Sequence, residues 1–417
     1  MGNIIAKYLI ETAYPLEKAA EVMAGEQSSG TFVKVPGETP ELTERHAAKV
    51  LEIVSLSSSD APSLSGSRPP KDTAPRYQRA DVTIEYPFVN MGASLATLIT
   101  TCSGNLYELG QFSGLKLLDV EIPKEFATHY PPPQFGVEGT RKLAGVYERP
   151  IIGTIIKPSV GFSAQQTADL VKTLCEAGLD FIKDDELQTN SPHNPLAERA
   201  EKVMRVINDH AQRTGKKVMY AFNITGDIDD MLQGHDTVLA HGGTCVMVNL
   251  LAMGLPSVAY LRKHSQLPIH GHRAGWGAMS RHPLLGMEFV AYQKFARLAG
   301  VDHLHVNGIR NKFTESDESV IASANAILTP MLGGYSAMPV FSSGQLAEQA
   351  PDTYNALNST DLIYLAGGGI LGHPDGAAQG VQSLIQAWKA AIERIPLDDY
   401  AVNHPALATS LKAFSSR

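Results

Sequence analysis

The 417-residue chain has only three cysteines and two tryptophans, and it carries no excess of basic residues. Three scattered thiols (Cys102, Cys175 and Cys245) cannot make a disulfide framework, so a reducing compartment, the cytoplasm, is the expectation. Cys175 and Cys245 lie in apolar surroundings and read as packing residues, not nucleophiles. A formal net charge of −8 lacks the clustered basic footprint of a nucleic-acid binder, and no such partner is expected. No apolar run reaches the ~18–20 residues of a membrane span, so no membrane partner is expected either. The N-terminus has no charged leader followed by an apolar core, which argues against a signal peptide. Ala6 stands where a myristoylation signal needs Ser or Thr. What is present is an ordinary globular composition, 43% hydrophobic and 19% charged, long enough for a large domain and a smaller one.

The smaller one is expected first, as an α+β domain over residues 1–135. "LEKAAEVMAGE" and "ELTERHAAKVLEIV" have helical periodicity, and "RADVTIEYPF" alternates like a strand. The Ser/Pro-rich "SLSSSDAPSLSGSRPPKDTAPR" reads as a loop, and "HYPPPQFG" (His129 to Gly136) as the boundary. Over residues 136–417 the pattern becomes regular. Eight short β-branched runs alternate mostly with helical segments: "PIIGTIIKP", "GLDFIKDDE", "KVMYAFNIT", "CVMVNLL", "LPIHGHRA", "DHLHVNG", "MPVFSSG" and "LIYLAGGG". That count predicts an α/β fold, a (β/α)8 TIM barrel as the C-terminal catalytic domain.

Nearly every one of these runs ends in chemistry: Lys157, the Lys183–Glu186 cluster, Asn223, His270/His272/Arg273, His303/His305, Ser342/Ser343 and Gly367–Gly369. Barrel active sites assemble from several strand ends at once. Turn residues in connecting loops would account for one or two of these positions, but not for Lys, His and Arg at several strand mouths.

In "GLDFIKDDE" the two-residue strand period turns Lys183 and Asp185 to the mouth, with Glu186 just past the end and Asp184 turned away. Two such carboxylates suit a hard divalent cation such as Mg2+. An ammonium in the same shell would repel it. Either Lys183 stays cationic and replaces the metal, or its neutral amine captures CO2 as a carbamate and supplies a third oxygen ligand. The residues alone leave both open. Elsewhere, "AGGGILGHP" and "SSG" lie where barrels bind phosphate, with Gly367 and Gly368 admitting a close backbone approach. Arg273 suits bidentate anion binding, and His272 and His305 suit acid–base or oxyanion work. "HVNGIRNKFTESDES" has the length and glycine of a lid that can carry Lys312 over a ligand.

Taken in order, "GTIIKPSVG", "GLDFIKDDE", "HGHRAGWG", "DHLHVNG", "SSG" and "GGGILGHP" resemble the ribulose-bisphosphate carboxylase (Rubisco) large chain, and more closely the Rubisco-like proteins that do not fix carbon. The likeness covers almost the whole chain, including "GEQSSGTF" and "TTCSGN". It implies a carbamate on Lys183 that binds Mg2+ together with Asp185 and Glu186. It implies that Lys157 exchanges protons with substrate and that His272 hydrogen-bonds beside the metal. Arg273, His305 and Ser342 match one anion site of the family, while Thr31, Lys312, Gly344, Gly367 and Gly368 match the other. Glu26, Thr31 and Asn105 lie on the domain that completes a neighbouring subunit's site, which implies a homodimer or a multiple of dimers.

Departures from the carboxylases point away from CO2 fixation. Ser159 stands for a second lysine, Trp276 for a histidine, Phe32 for a tryptophan and Ser343 for a glycine. Loss of that lysine removes a cation that tunes its neighbour. Rubisco-like proteins enolise or isomerise methylthio-pentulose phosphates, or act on 3-oxo-isoapionate 4-phosphate in apiose breakdown by decarboxylation or by transcarboxylation and hydrolysis. The retained Asn105, Lys312 and anion residues favour the second group, with decarboxylation of a phosphorylated β-keto sugar acid as the expectation. A non-catalytic binding protein on this fold would have substituted metal ligands, and here all three are present.

Overall fold

The structure is a computed structural model that describes residues 2–30, 35–71 and 74–415. These form two compact units. One runs to Pro131 and also takes in Gly275–Leu298; the other comprises Pro132–Ala274 and resumes at Ala299.

The first unit is built on a five-stranded sheet, in spatial order Leu285–Met287, Phe112–Glu121, Ile4–Thr12, Tyr77–Tyr86 and Lys49–Ser59. Ile4, Ala6, Tyr8 and Ile10 are fully buried, the alternation that gives a sheet one core face. The helix Leu16–Glu26 buries Ala19, Ala20 and Met23. The expected helix over "ELTERHAAKVLEIV" is only half present: it ends at His46, and Lys49–Ser59 is an edge strand. Val50, Ile53 and Val54 are β-branched, and antiparallel pairing of Ile53 with Val82 and Val54 with Asp81 outweighs the helical periodicity. That strand also takes the first five residues of the expected Ser-rich loop. Within the same unit Leu285–Met287 pairs in parallel with Leu115–Leu117, which is why Gly275–Leu298 belongs here.

The second unit is the expected barrel. Its eight parallel strands are Ile151–Ile155, Phe181–Lys183, Met219–Asn223, Cys245–Asn249, Ile269–His272, His303–Asn307, Met338–Phe341 and Ile363–Leu365, closed by pairing of the fifth with the sixth. Each coincides with one of the eight runs read from the sequence. Ile151, Phe181, Met219, Cys245, Met247, Met338, Val340 and Ile363 fill the interior, so the barrel is a packed core and not a pore. Cys102, Cys175 and Cys245 are all buried free thiols. Among the described residues, no helix is long and apolar enough to cross a membrane.

Candidate active site

The second barrel strand ends at Lys183, and the three acids that follow divide as the strand period requires. Asp184 turns into the wall, fully buried, where Tyr220 Oη donates to its Oδ1 at 2.5 Å and the Asn223 N–H to its Oδ2 at 2.9 Å. The buried Arg199 guanidinium lies 3.2 Å from the same Oδ2. Asp185 and Glu186 face the other way. Lys157, just past the first strand, donates from Nζ to Asp185 Oδ2 at 2.6 Å and to Ser159 Oγ at 2.8 Å. The strand end thus brings Lys157, Lys183, Asp185 and Glu186 together.

Lys183 is 1% exposed, and its ammonium has poor compensation. Nζ donates to the Asp184 carbonyl at 2.8 Å and lies 3.7 Å from Glu186 Oε2. Burial pulls its pKa below the ordinary lysine value, and the nearby Lys157 charge acts in the same direction against the three carboxylates. CO2 adds to the neutral amine, so this environment favours the form that a carbamate requires. His272 Nε2 lies 3.6 Å from Glu186 Oε2. A carbamylated Lys183 with Asp185 and Glu186 makes an all-oxygen donor set of the kind Mg2+ prefers, and the residues therefore fit the ion.

The backbone beneath this set is fixed by two amides. Asn223 Nδ2 donates to the carbonyls of Asp185 and Glu186, each at 3.1 Å, and Asn249 Nδ2 donates to the Glu186 carbonyl at 2.9 Å. Thr225 ties them together, donating from Oγ1 to Asn223 Oδ1 at 2.7 Å and accepting the Asn249 N–H at 2.9 Å. Nothing in the sequence marks Asn249 and Thr225, whose role comes from contacts that form only when separate strands meet.

Across the mouth, His305 is embedded in a buried imidazole chain. Thr140 Oγ1 meets His303 Nε2 at 2.8 Å, His303 Nδ1 meets His270 Nδ1 at 3.2 Å, and His270 Nε2 meets His305 Nε2 at 2.7 Å. His305 Nδ1 then meets Ser342 Oγ at 3.1 Å. Burial lowers the pKa of His270, His303 and His305, that of His303 to about 3, and so holds all three neutral. A neutral imidazole offers one donor and one acceptor, which suits a continuous chain. His272 packs edge-on against His305, ring centroids 4.5 Å apart. Arg273, 6% exposed, is paired with Glu315 of the loop after strand six.

Lys312 is exposed on that loop, with its Nζ 5.2 Å from the Phe313 ring centroid. Its backbone N–H donates to the Ser343 carbonyl at 3.0 Å, next to Gly344. Ser343, where the resemblance expects glycine, adopts φ 68°, and its hydroxyl donates to Asn307 Oδ1 at 2.8 Å. Gly367 and Gly368 begin a one-turn helix, Gly367–Leu371, straight after the eighth strand. In the first unit, Asn105 Nδ2 donates to Glu26 Oε1 at 3.2 Å, so these two expected site residues are joined. Thr31 and Phe32 lie outside the described residues.

The chain is similar to known proteins over nearly its whole length. Residues 136–414 match the family model "Ribulose bisphosphate carboxylase large chain, catalytic domain", and residues 2–126 match the N-terminal domain of the same family. A 3-oxo-isoapionate-4-phosphate transcarboxylase/hydrolase of Xanthobacter autotrophicus is 52% identical, over 98% of this chain and 98% of its own. A 3-oxo-isoapionate-4-phosphate decarboxylase of Rhizobium etli is 46% identical, over 99% of both chains. The crystal structure of a rubisco-like protein from Burkholderia fungorum superposes with a TM-score of 0.92 at 45% identity, over 99% of this chain and 100% of that one.

Proposed function

This chain belongs to the ribulose bisphosphate carboxylase large-chain family, and from that premise we propose that it is a Rubisco-like carbon–carbon lyase that decarboxylates 3-oxo-isoapionate 4-phosphate. The observation that carries this reading is the first-strand end. Lys157 donates to Asp185, and Ser159 puts a hydroxyl where the resemblance to the carboxylases places a second ammonium. One proton-transferring cation remains at the position the resemblance assigns to substrate chemistry.

Lys183 as its carbamate, Asp185 and Glu186 would hold Mg2+. When bound, the ion would supply a positive charge that polarises neighbouring substrate oxygens and lowers the cost of an enediolate. The chain's own residues do the rest. In a β-keto acid the bond from the α-carbon to the carboxylate breaks, CO2 leaves, and the electron pair passes to the ketone oxygen. The Lys157 ammonium returns one proton to that α-carbon and is recharged from solvent. His272 offers a hydrogen bond beside Glu186. Gly344, Gly367, Gly368 and Lys312, with Thr31 of a neighbouring subunit, are the phosphate-holding set, and Arg273, His305 and Ser342 receive the opposite end of the substrate. Glu26 and Asn105 serve a neighbouring subunit's site in a cytoplasmic homodimer or a multiple of dimers.

A transcarboxylase/hydrolase reading has specific support, because the Xanthobacter relative of that name is 52% identical and the Rhizobium decarboxylase 46%. The two reactions differ in carbon balance. Decarboxylation releases one CO2 per substrate, whereas carboxyl transfer followed by hydrolysis of a carbon–carbon bond keeps every carbon in two acids. Carbon-13 NMR of carboxyl-labelled 3-oxo-isoapionate 4-phosphate should show label in CO2 and bicarbonate. Label retained in an organic acid would replace the first reading with the second, and no turnover of this compound would sink both. Lys157→Met should abolish the reaction.

A further inference from the structure

The fifth barrel strand delivers Arg273 to the mouth, but its charge is already met by the chain. Arg273 Nη2 pairs with Glu315 Oε2, and the same oxygen accepts Asn307 Nδ2 at 2.6 Å. The other oxygen, Oε1, accepts the Ser319 hydroxyl at 2.9 Å. The Glu315 side chain is only 11% exposed. This is a fixed carboxylate and not a passing surface contact, because each neighbour is itself anchored. Asn307 closes the sixth strand with φ 66° and is held by the Ser343 hydroxyl. Ser319 lies in the first turn of the helix Asp317–Leu328, whose start is capped by Ser316. The Glu315 carbonyl accepts Asn311 Nδ2 at 3.2 Å, which pins the backbone from the loop side.

The charges around this end therefore cancel. Arg273 contributes one positive charge and Glu315 one negative, while Asn307, Ser319 and Ser342 are uncharged. A phosphate dianion placed against Arg273 would face the Glu315 carboxylate in a buried setting, where screening by water is weak and like-charge repulsion strong.

We propose that Glu315 is a specificity-determining residue that cancels the Arg273 charge, so that the site accepts substrates with one phosphate and discriminates against bisphosphates. The Arg273–Glu315 pair instead meets an uncharged, hydroxyl-bearing end of the ligand, for which the pair offers both donors and an acceptor. This inference rests on the proposed reading of the barrel mouth as the substrate site, and it names the charge class of that substrate: one phosphate, as in a sugar-acid monophosphate.

The test is a binding measurement that does not depend on turnover. The full-length protein with Mg2+ and bicarbonate is titrated calorimetrically with ribulose 1,5-bisphosphate and with ribulose 5-phosphate. The wild type should bind the bisphosphate no more than about threefold tighter than the monophosphate. Glu315→Gln should shift that affinity ratio by about tenfold or more towards the bisphosphate. A wild type that already favours the bisphosphate by more than about tenfold overturns the proposal, and so does an unchanged ratio in the variant. Glu315→Asp draws the carboxylate back from Arg273 by one methylene and provides a second reading should Glu315→Gln fail to fold. It should move the ratio in the same direction by a smaller factor, and no movement counts against the proposal. Failure to decarboxylate 3-oxo-isoapionate 4-phosphate would remove the proposed reaction but would leave this affinity ratio measurable.

Discussion

Asn249 Nδ2, at the end of the fourth barrel strand, donates to the Glu186 carbonyl at 2.9 Å, two strands away. With Asn223 bonded to the carbonyls of both Asp185 and Glu186, it sets the direction in which the two carboxylates leave the strand end. A residue that orients a metal ligand typically changes affinity by about 10–100-fold when removed. Asn249→Ala should weaken Mg2+ binding by that order and leave thermal stability nearly unchanged. Isothermal titration beside a melting curve separates the two effects.

Carbamate formation on Lys183 should rise with pH, because only the uncharged amine adds CO2. The pKa, lowered by burial, places this rise below the pH at which an exposed lysine would react. Mass spectrometry under native conditions, or carbon-13 NMR with labelled bicarbonate, should detect one adduct per chain, lost in Lys183→Ala. Activity should fall by orders of magnitude in that variant and on exhaustive removal of bicarbonate. Unchanged activity in either case rules out the carbamate.

Arg199 and Asp184 are both fully buried, and the guanidinium also donates to the carbonyls of Asn194 at 2.8 Å and Thr189 at 2.6 Å. Removing one partner of such a pair leaves the other charge uncompensated. Arg199→Met should cost about 3–5 kcal/mol of folding free energy, measured by urea denaturation. Because Asp184 adjoins both Lys183 and Asp185, Mg2+ binding should weaken in the same variant.

The buried imidazole chain predicts acid lability. His270, His303 and His305 all have folded-state pKa values below the ordinary histidine value, that of His303 about 3. Below about pH 6.5 the unfolded chain binds protons that the folded chain refuses. Stability therefore falls as pH falls through that value, and is fully retained above it. Well below it, each histidine steepens the loss by about 1.4 kcal/mol per pH unit. Chemical denaturation between pH 7.5 and 5 measures the slope, and His303→Gln should reduce it.

Charge and periodicity made the barrel and much of its mouth legible in the sequence. Lys157, Lys183, Asp185, His272 and Arg273 announce themselves by placing ionisable groups at strand ends, and the orientation of Asp184 follows from the strand period alone. What stayed hidden depends on distance in space. Glu315 is one acid in a polar loop, and nothing in "TESDES" says which of its acids meets Arg273. Asn249, which ends the fourth strand, and Thr225, just past the third, act through neutral amide and hydroxyl groups. The strand Lys49–Ser59 has the pattern of a helix end and a loop in the sequence because its exposed face alternates poorly, with Leu51 and Leu56 each 52% exposed, and pairing, not patterning, makes it a strand.

The sheet that begins at Ile4 takes its last strand, Leu285–Met287, from far downstream. A ribosome making this chain therefore releases four of the five strands long before the fifth exists, with most of the barrel strands synthesised in between. Until then Phe112–Glu121 is a bare edge open to other chains. Maturation of the N-terminal unit is thus timed by synthesis of the other, and a fragment ending at Pro131 should aggregate where a co-expressed 275–298 segment would rescue it.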